Sequence, residues 1–169
     1  METPPQPPWL TAEEMGTWHA LAGVLIRLPG ALDTQLQRDA GISHVEYQVL
    51  SMLSSAPEHT MRMSELAGYA GTSLSRLSHL VKRLETSDWV RRTPDPGDGR
   101  YTLATLTDAG WAKVVDTAPG HAKVVRSFVF DPLTKAQQRH LREIGRRIWR
   151  AVEPDDHCLP PDPAGTPPD

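Results

Sequence analysis

The sequence predicts a mainly α-helical chain carrying one small β-hairpin, and three observations carry that expectation. Apolar residues recur at spacings of three and four through much of the chain. Ser43 with Glu46, and Thr134 with Gln137, have the Ser/Thr-x-x-Glu/Gln form of a helix capping box. Between them Val90 to Pro94 and Tyr101 to Leu106 are two short strand-like runs joined by DPGDGR, whose proline and glycines are turn residues.

Length and composition are consistent with this. A chain of 169 residues with 38% apolar content suits one domain with a sizeable core. No apolar run approaches the roughly 18 residues a membrane span needs, and METPPQPPW lacks the charged and apolar regions of a signal peptide, so the expected location is the cytoplasm. The one cysteine, Cys158, excludes an internal disulfide and a multi-cysteine zinc site. The formal charge of −3 argues against indiscriminate polyanion binding, yet from Arg62 to Arg100 seven basic residues face five acidic ones, a local +2 against −5 elsewhere.

Along the chain, prolines crowd residues 1–10 and 153–169, and both are read as disordered tails around a single domain at 11–152. From Thr11 to about Arg38, Trp18, Leu21, Leu25, Leu28 and Leu32 fall on one helical face, which Pro29 should kink or split. The Ser43 capping box opens a second helix with Tyr47, Leu50 and Leu53 inward, closing near Ser55 before Pro57 and completing the N-terminal helices of 11–55.

Residues 62 to 90 have the spacing of a helix-turn-helix. Ala67 is small where two helices cross, Gly71 can take a left-handed turn, and Leu77 and Leu80 pin the second helix onto the first. Ser73 caps that helix, whose core stripe is Leu77, Leu80, Val81 and Leu84. At about 100° per residue, Ser75, His79 and Lys82 lie opposite the stripe, with Arg76 and Arg83 flanking them. An ordinary solvated helix face would carry the same charges, but a hairpin directly after such a helix makes a winged helix over 60–106. Thr107 then caps a long helix through Trp111, Val114 and Val115 towards Phe130, with a bend expected at Pro119-Gly120. The Thr134 capping box starts a last helix with Leu141, Ile144, Ile148 and Val152 on one face, too much apolar surface for an isolated helix to leave in water.

The order of elements, together with Asp98-Gly99-Arg100, Leu106-Thr107 and Gly110, resembles the MarR family of bacterial transcription regulators over roughly Thr11 to Val152. The resemblance implies a winged helix-turn-helix flanked by N- and C-terminal dimerisation helices, the latter at 107–152. It also implies a homodimer binding double-stranded DNA at a pseudo-palindromic operator. Ser73, Ser75, Arg76, His79, Lys82 and Arg83 would form the major-groove surface. Arg100 would enter the minor groove, its guanidinium held by Asp98 two residues away. Gly99 stands where many family members have a second basic residue, which implies a weaker wing.

The family also implies release by a small phenolic or aromatic effector, with Trp18, His19, Tyr47 and Trp111 near the cleft, although Trp18 and Tyr47 equally suit core stripes. A repressor or an activator is implied, with a dimeric interaction module that lost DNA binding as the alternative. An enzyme finds no support. The seven histidines, His19, His44, His59, His79, His121, His140 and His157, include no i,i+4 pair with a catalytic glutamate, and no nucleophile, phosphate or dinucleotide motif occurs. Asp155-Asp156-His157-Cys158 has ligand chemistry but sits in a proline-rich tail that imposes no geometry, so neither metal nor cofactor is expected.

Overall fold

The computed structural model describes residues 9–152. The proline-rich tails, apart from Trp9 and Leu10, and the run 155–158 lie outside the described residues. The elements run α1 (Ala12–Ala40), α2 (His44–Ser55), β1 (Thr60–Arg62), α3 (Met63–Tyr69), α4 (Leu74–Thr86), β2 (Val90–Pro94), β3 (Thr102–Leu106), α5 (Asp108–Val125) and α6 (Lys135–Val152).

Helix boundaries follow the capping chemistry. Thr11 accepts the Glu14 amide at 3.2 Å while the Glu14 carboxylate accepts the Thr11 amide at 2.7 Å, and Ser43 with Glu46 repeats the arrangement at 3.2 and 2.8 Å. Thr134 and Gln137 do so for α6. α1 closes on Gly41, whose φ of 66° puts it in the left-handed region and lets its amide reach the Gln37 carbonyl.

One proline expectation is corrected: Pro29 does not split the first helix. α1 is one helix through Pro29 and α5 is one helix through Pro119. Each proline removes one backbone donor, and long helices keep enough bonds on either side to absorb the loss. A π-helical turn, Arg126–Phe130, follows α5 and is closed by the Asp131 amide on the Arg126 carbonyl.

β1 adds a third strand to the predicted hairpin. The sheet order is β1-β3-β2, antiparallel throughout, with Thr60 opposite Thr105 and Val90 opposite Leu106. The core joins Leu36, Tyr47, Leu50 and Leu53 to Leu66, Leu77, Val81, Leu84, Ala104, Leu106 and Val114. It therefore spans α1, α2, the helix-turn-helix, the sheet and the start of α5. α6 buries none of its residues, and Leu141, Ile144, Ile148 and Val152 are all exposed. Trp18 and Leu25, expected on the inward face of α1, are also exposed, whereas Leu32 and Leu36 are buried.

The junction into α5 is tightly packed. The Thr107 amide donates to the Trp89 carbonyl at 3.0 Å, and the Thr107 hydroxyl caps α5 by accepting the Gly110 amide. A Cβ on Gly110 would fall onto the Trp89 carbonyl oxygen and within 2.7 Å of Leu106 Cδ1. Because backbone cannot swing aside as a side chain can, Gly110→Ala should cost about 3 kcal/mol or more in a denaturant titration. Gly99→Ala, where a Cβ meets nothing within 4 Å, should change stability by under about 0.5 kcal/mol. Equal effects would contradict the close approach at Trp89.

Candidate nucleic-acid interface

The turn between α3 and α4 is set by Gly71 at φ 58°, with the Thr72 amide on the Ala67 carbonyl at 3.0 Å. Ser73 accepts the Arg76 amide at 3.3 Å and starts α4, and Leu77, Leu80, Val81 and Leu84 are buried as one stripe. Ser73, Ser75, Arg76, His79 and Lys82 are all exposed on the other side. Among the described residues, Ser75, Arg76, His79 and Lys82 make no side-chain hydrogen bond or ion pair, so their donors face outward uncommitted.

Arg83 is exposed as well but is not uncommitted. Its guanidinium turns back to Glu46 at the start of α2, with Nη2 and Nε at 3.1 and 3.2 Å from Oε1. The pairing partner is 37 residues away, so helical phase alone could not reveal it. Glu46 thus serves α2 as a cap through Oε2 and α4 as a tether through Oε1.

The hairpin is fastened to α4 by Arg92, a residue the sequence reading did not single out. Its backbone amide and Nε each lie 3.0 Å from Glu85, its Nη2 lies 2.7 Å away, and its Nη1 reaches Ser78 at 3.0 Å. Those bonds hold the Glu85 carboxyl below its ordinary range. A shallow recess of about 220 Å³ between the helix-turn-helix and the hairpin is lined by Ser64, Ser78, Arg92, Arg100 and Tyr101, among others.

Beyond it stands the wing tip. Asp98 accepts the Arg100 backbone amide at 3.1 Å, and its two oxygens take Nε at 2.9 Å and Nη2 at 2.6 Å. The carboxyl is held below the usual carboxylate range by those bonds, chiefly from the Arg100 side chain. Arg100 itself is 84% exposed. A planar cation is thus displayed in solvent with two of its three nitrogens pinned. Gly99 has an ordinary φ and open space around it, so the backbone does not demand glycine there.

The four residues expected near an effector cleft have different surroundings among the described residues. Trp18 lines an open groove with Leu10, Thr17 and Leu21, His19 is exposed, and Trp111 lies beside the His59 ring at 4.8 Å. Only Tyr47 is buried, with its ring 4.7 Å from that of His121. Around it is a polar cluster the periodicity reading passed over. His121 Nδ1 lies 3.0 Å from the buried Gln35 side chain, the His44 ring is 6.0 Å from that of His121, and His44 Nδ1 and Thr117 Oγ1 are buried without a partner. The sign that was available is Gln35, a polar residue between Leu32 and Leu36 on a buried stripe.

The fold has close counterparts. The profile of the MarR family matches residues 40–100. The crystal structure of Sco3205 from Streptomyces coelicolor, a MarR family transcriptional regulator in complex with DNA, is 46% identical, with 91% of this chain and 97% of that one covered at a TM-score of 0.85. This chain belongs to the MarR family of transcription regulators. AbsC, another MarR family regulator from Streptomyces coelicolor, is 32% identical over 87% of this chain and 99% of its own, with a TM-score of 0.82. The HTH-type transcriptional regulator PecS of Dickeya dadantii (strain 3937) is 28% identical over 143 residues, 83% of this chain and 84% of that one. These MarR relatives are regulators and not enzymes.

The histidine cluster has a consequence for stability. Burial lowers the pKa of His44 and of His121 below the ordinary histidine value; each ring sits near the other, and Asp33 only partly offsets the effect at His44. As pH falls through about 6.5, the unfolded chain takes up protons that the folded one resists. Stability is therefore retained above that pH and declines below it. The denaturant midpoint should drop between pH 7.5 and 5.5, a window above the titration of the paired carboxylates, and His44→Gln with His121→Gln should flatten that drop. An undiminished drop in the double variant would contradict the assignment.

Proposed function

We propose that the chain binds double-stranded DNA as a homodimer and acts as a repressor at a pseudo-palindromic operator, released by a small aromatic ligand. The observation that carries this reading is the pairing of an uncommitted polar face on α4 with an arginine presented by Asp98 at the wing tip. A helix presents donors to base edges and phosphates of the major groove, while a stalked arginine suits the negative potential of a narrow minor groove. The DNA complex of Sco3205, at 46% identity, supports the same docking. On this reading Ser73, Ser75 and Lys82 serve phosphates and Arg76 or His79 the base edges, with Arg83 left to hold α4 against α2.

The dimer is argued from apolar surface with no intramolecular cover. Leu141, Ile144, Ile148 and Val152 on α6, Trp18 and Leu25 on α1, and Phe128 and Phe130 in the π-helical turn are all exposed. A twofold pairing through these termini would set two α4 helices about one DNA turn apart. The ligand part of the reading rests on two buried, unpartnered polar atoms, Thr117 Oγ1 on α5 and His44 Nδ1, whose ring neighbours the His121 ring that packs on Tyr47. An aromatic molecule with a polar tip would satisfy such a site.

Two experiments test this. Removing residues 145–169 should convert the protein to monomer in sedimentation, whereas removing 153–169 should leave the dimer; a dimer that survives the longer cut would refute the C-terminal interface. In a gel shift against the DNA upstream of its own gene, Asp98→Asn should weaken binding, although removing a negative charge near phosphate would by itself strengthen it. The loss should be on the order of 0.5 to 1.5 kcal/mol, the cost of ordering a freed arginine. With Arg100 already changed to Ala, Asp98→Asn should do no harm. Equal weakening in both backgrounds would sink the orientation account, and no shift by a folded dimer at moderate salt would leave the interaction-module reading in its place.

A further inference from the structure

Arg62 is the last residue of β1 and immediately precedes α3, so it sits where the sheet's edge meets the helix-turn-helix. Its Nε and Nη2 both lie 2.9 Å from Asp95 Oδ2, and its guanidinium carbon lies 4.5 Å from the centre of the Tyr101 ring. Asp95 and Tyr101 are the two ends of the wing loop: the Asp95 amide donates to the Tyr101 carbonyl at 2.9 Å. One side chain therefore grips both feet of the loop, one by charge and one by its flat face.

The grip is passed on to the tip. Asp95, nine-tenths buried, uses its other oxygen to accept the Gly97 amide at 2.8 Å. The Tyr101 amide donates to the Asp98 carbonyl at 2.9 Å, and the Asp98 carboxylate takes the Arg100 fork. From β1 to Arg100 the path is thus continuous, and every link is a hydrogen bond or a stacked ring. Arg62 has its charge matched within the protein by Asp95, with two of its nitrogens committed. Arg100 is paired with Asp98 in the same way, but the Arg62 side chain is 41% exposed against 84% for Arg100 and its guanidinium lies over the Tyr101 ring, which leaves Arg62 less available to phosphate and well suited to fix a direction.

We propose that Arg62 is the positioning residue of the wing: it sets where the Asp98–Arg100 tip stands relative to α4 without itself touching DNA. The inference rests on the DNA-binding reading above. Only arginine fits this post. Its plane can stack on Tyr101 while its edge donates to Asp95, whereas lysine offers a point charge that can serve one partner at a time.

The test is a set of double-mutant cycles on the full-length chain, read by fluorescence anisotropy with the same upstream DNA. Arg62→Lys and Arg62→Met should each weaken binding roughly three- to tenfold, the penalty of ordering a freed arginine on docking. Asp95→Asn should reproduce the effect. In an Arg100→Ala background the same substitutions should change affinity by less than about twofold, because the residue they position is gone. Hydroxyl-radical protection should fade at the wing contact and persist at the α4 contact. Additive losses in the Arg100→Ala background, with the salt dependence falling by about 0.9 per substitution, would make Arg62 a phosphate contact and overturn the proposal. Unchanged affinity in the single variants would overturn it equally.

If the wild-type chain binds no DNA, the functional reading fails, while wing positioning is still read on the free protein. A nitroxide attached at Gly99→Cys in a Cys158→Ser background should become more mobile on Arg62→Met, with the melting temperature of α-helical signal retained. An unaltered spectrum would refute the positioning role.

Discussion

Leu77, Leu80, Val81 and Leu84 are buried together on one side of α4, and everything outward on that helix follows from their burial. Each such side chain contributes roughly 1.5 to 3 kcal/mol on leaving water, so rotating α4 about its axis would expose several at once. No single surface contact could compensate. The rotation is therefore fixed by apolar packing, and Ser75, His79 and Lys82 are held on the outside at no separate cost in order. The polar bonds to neighbouring elements act on what packing leaves free. Glu46 restrains α4 through Arg83, and Arg92 ties Glu85 and Ser78 to the strand that follows.

How much of this could be read beforehand depended on the range of the interaction concerned. Capping boxes at Ser43 and Thr134, the left-handed Gly71 and the cap at Ser73 involve partners at most a few residues apart, and the structure has all of them. The stripe of α4 is likewise a property of one helix. The misses are non-local or too brief to have a pattern. β1 is three residues long, and it becomes a strand because β3 lies beside it, with Met61 opposite Ala104. Arg83 finds Glu46, and His121 finds Gln35, across gaps that no periodicity spans.

That Pro29 does not split its helix has a different reason. A rule about single residues predicts local damage, and the helices around Pro29 and Pro119 are long enough that local damage does not end them. Similarly, inward-facing positions on α1 were inferred from spacing, and spacing identifies a face without saying what covers it. Trp18 and Leu25 are on the expected face yet exposed, although Leu21 and Leu28 on the same face are half-buried.

The contact of Gly110 with the Trp89 carbonyl joins two parts of the molecule. On one side is the hairpin, and on the other is α5, which packs along α1 and α2 and whose Lys113 bonds the Ala40 carbonyl at 2.7 Å. A joint of backbone against backbone has no rotamers in which to lose a displacement. The start of α5 and the end of the turn before β2 are thus held at a fixed separation, so the angle at which the hairpin leaves the helical body is set by backbone and not by side-chain choice.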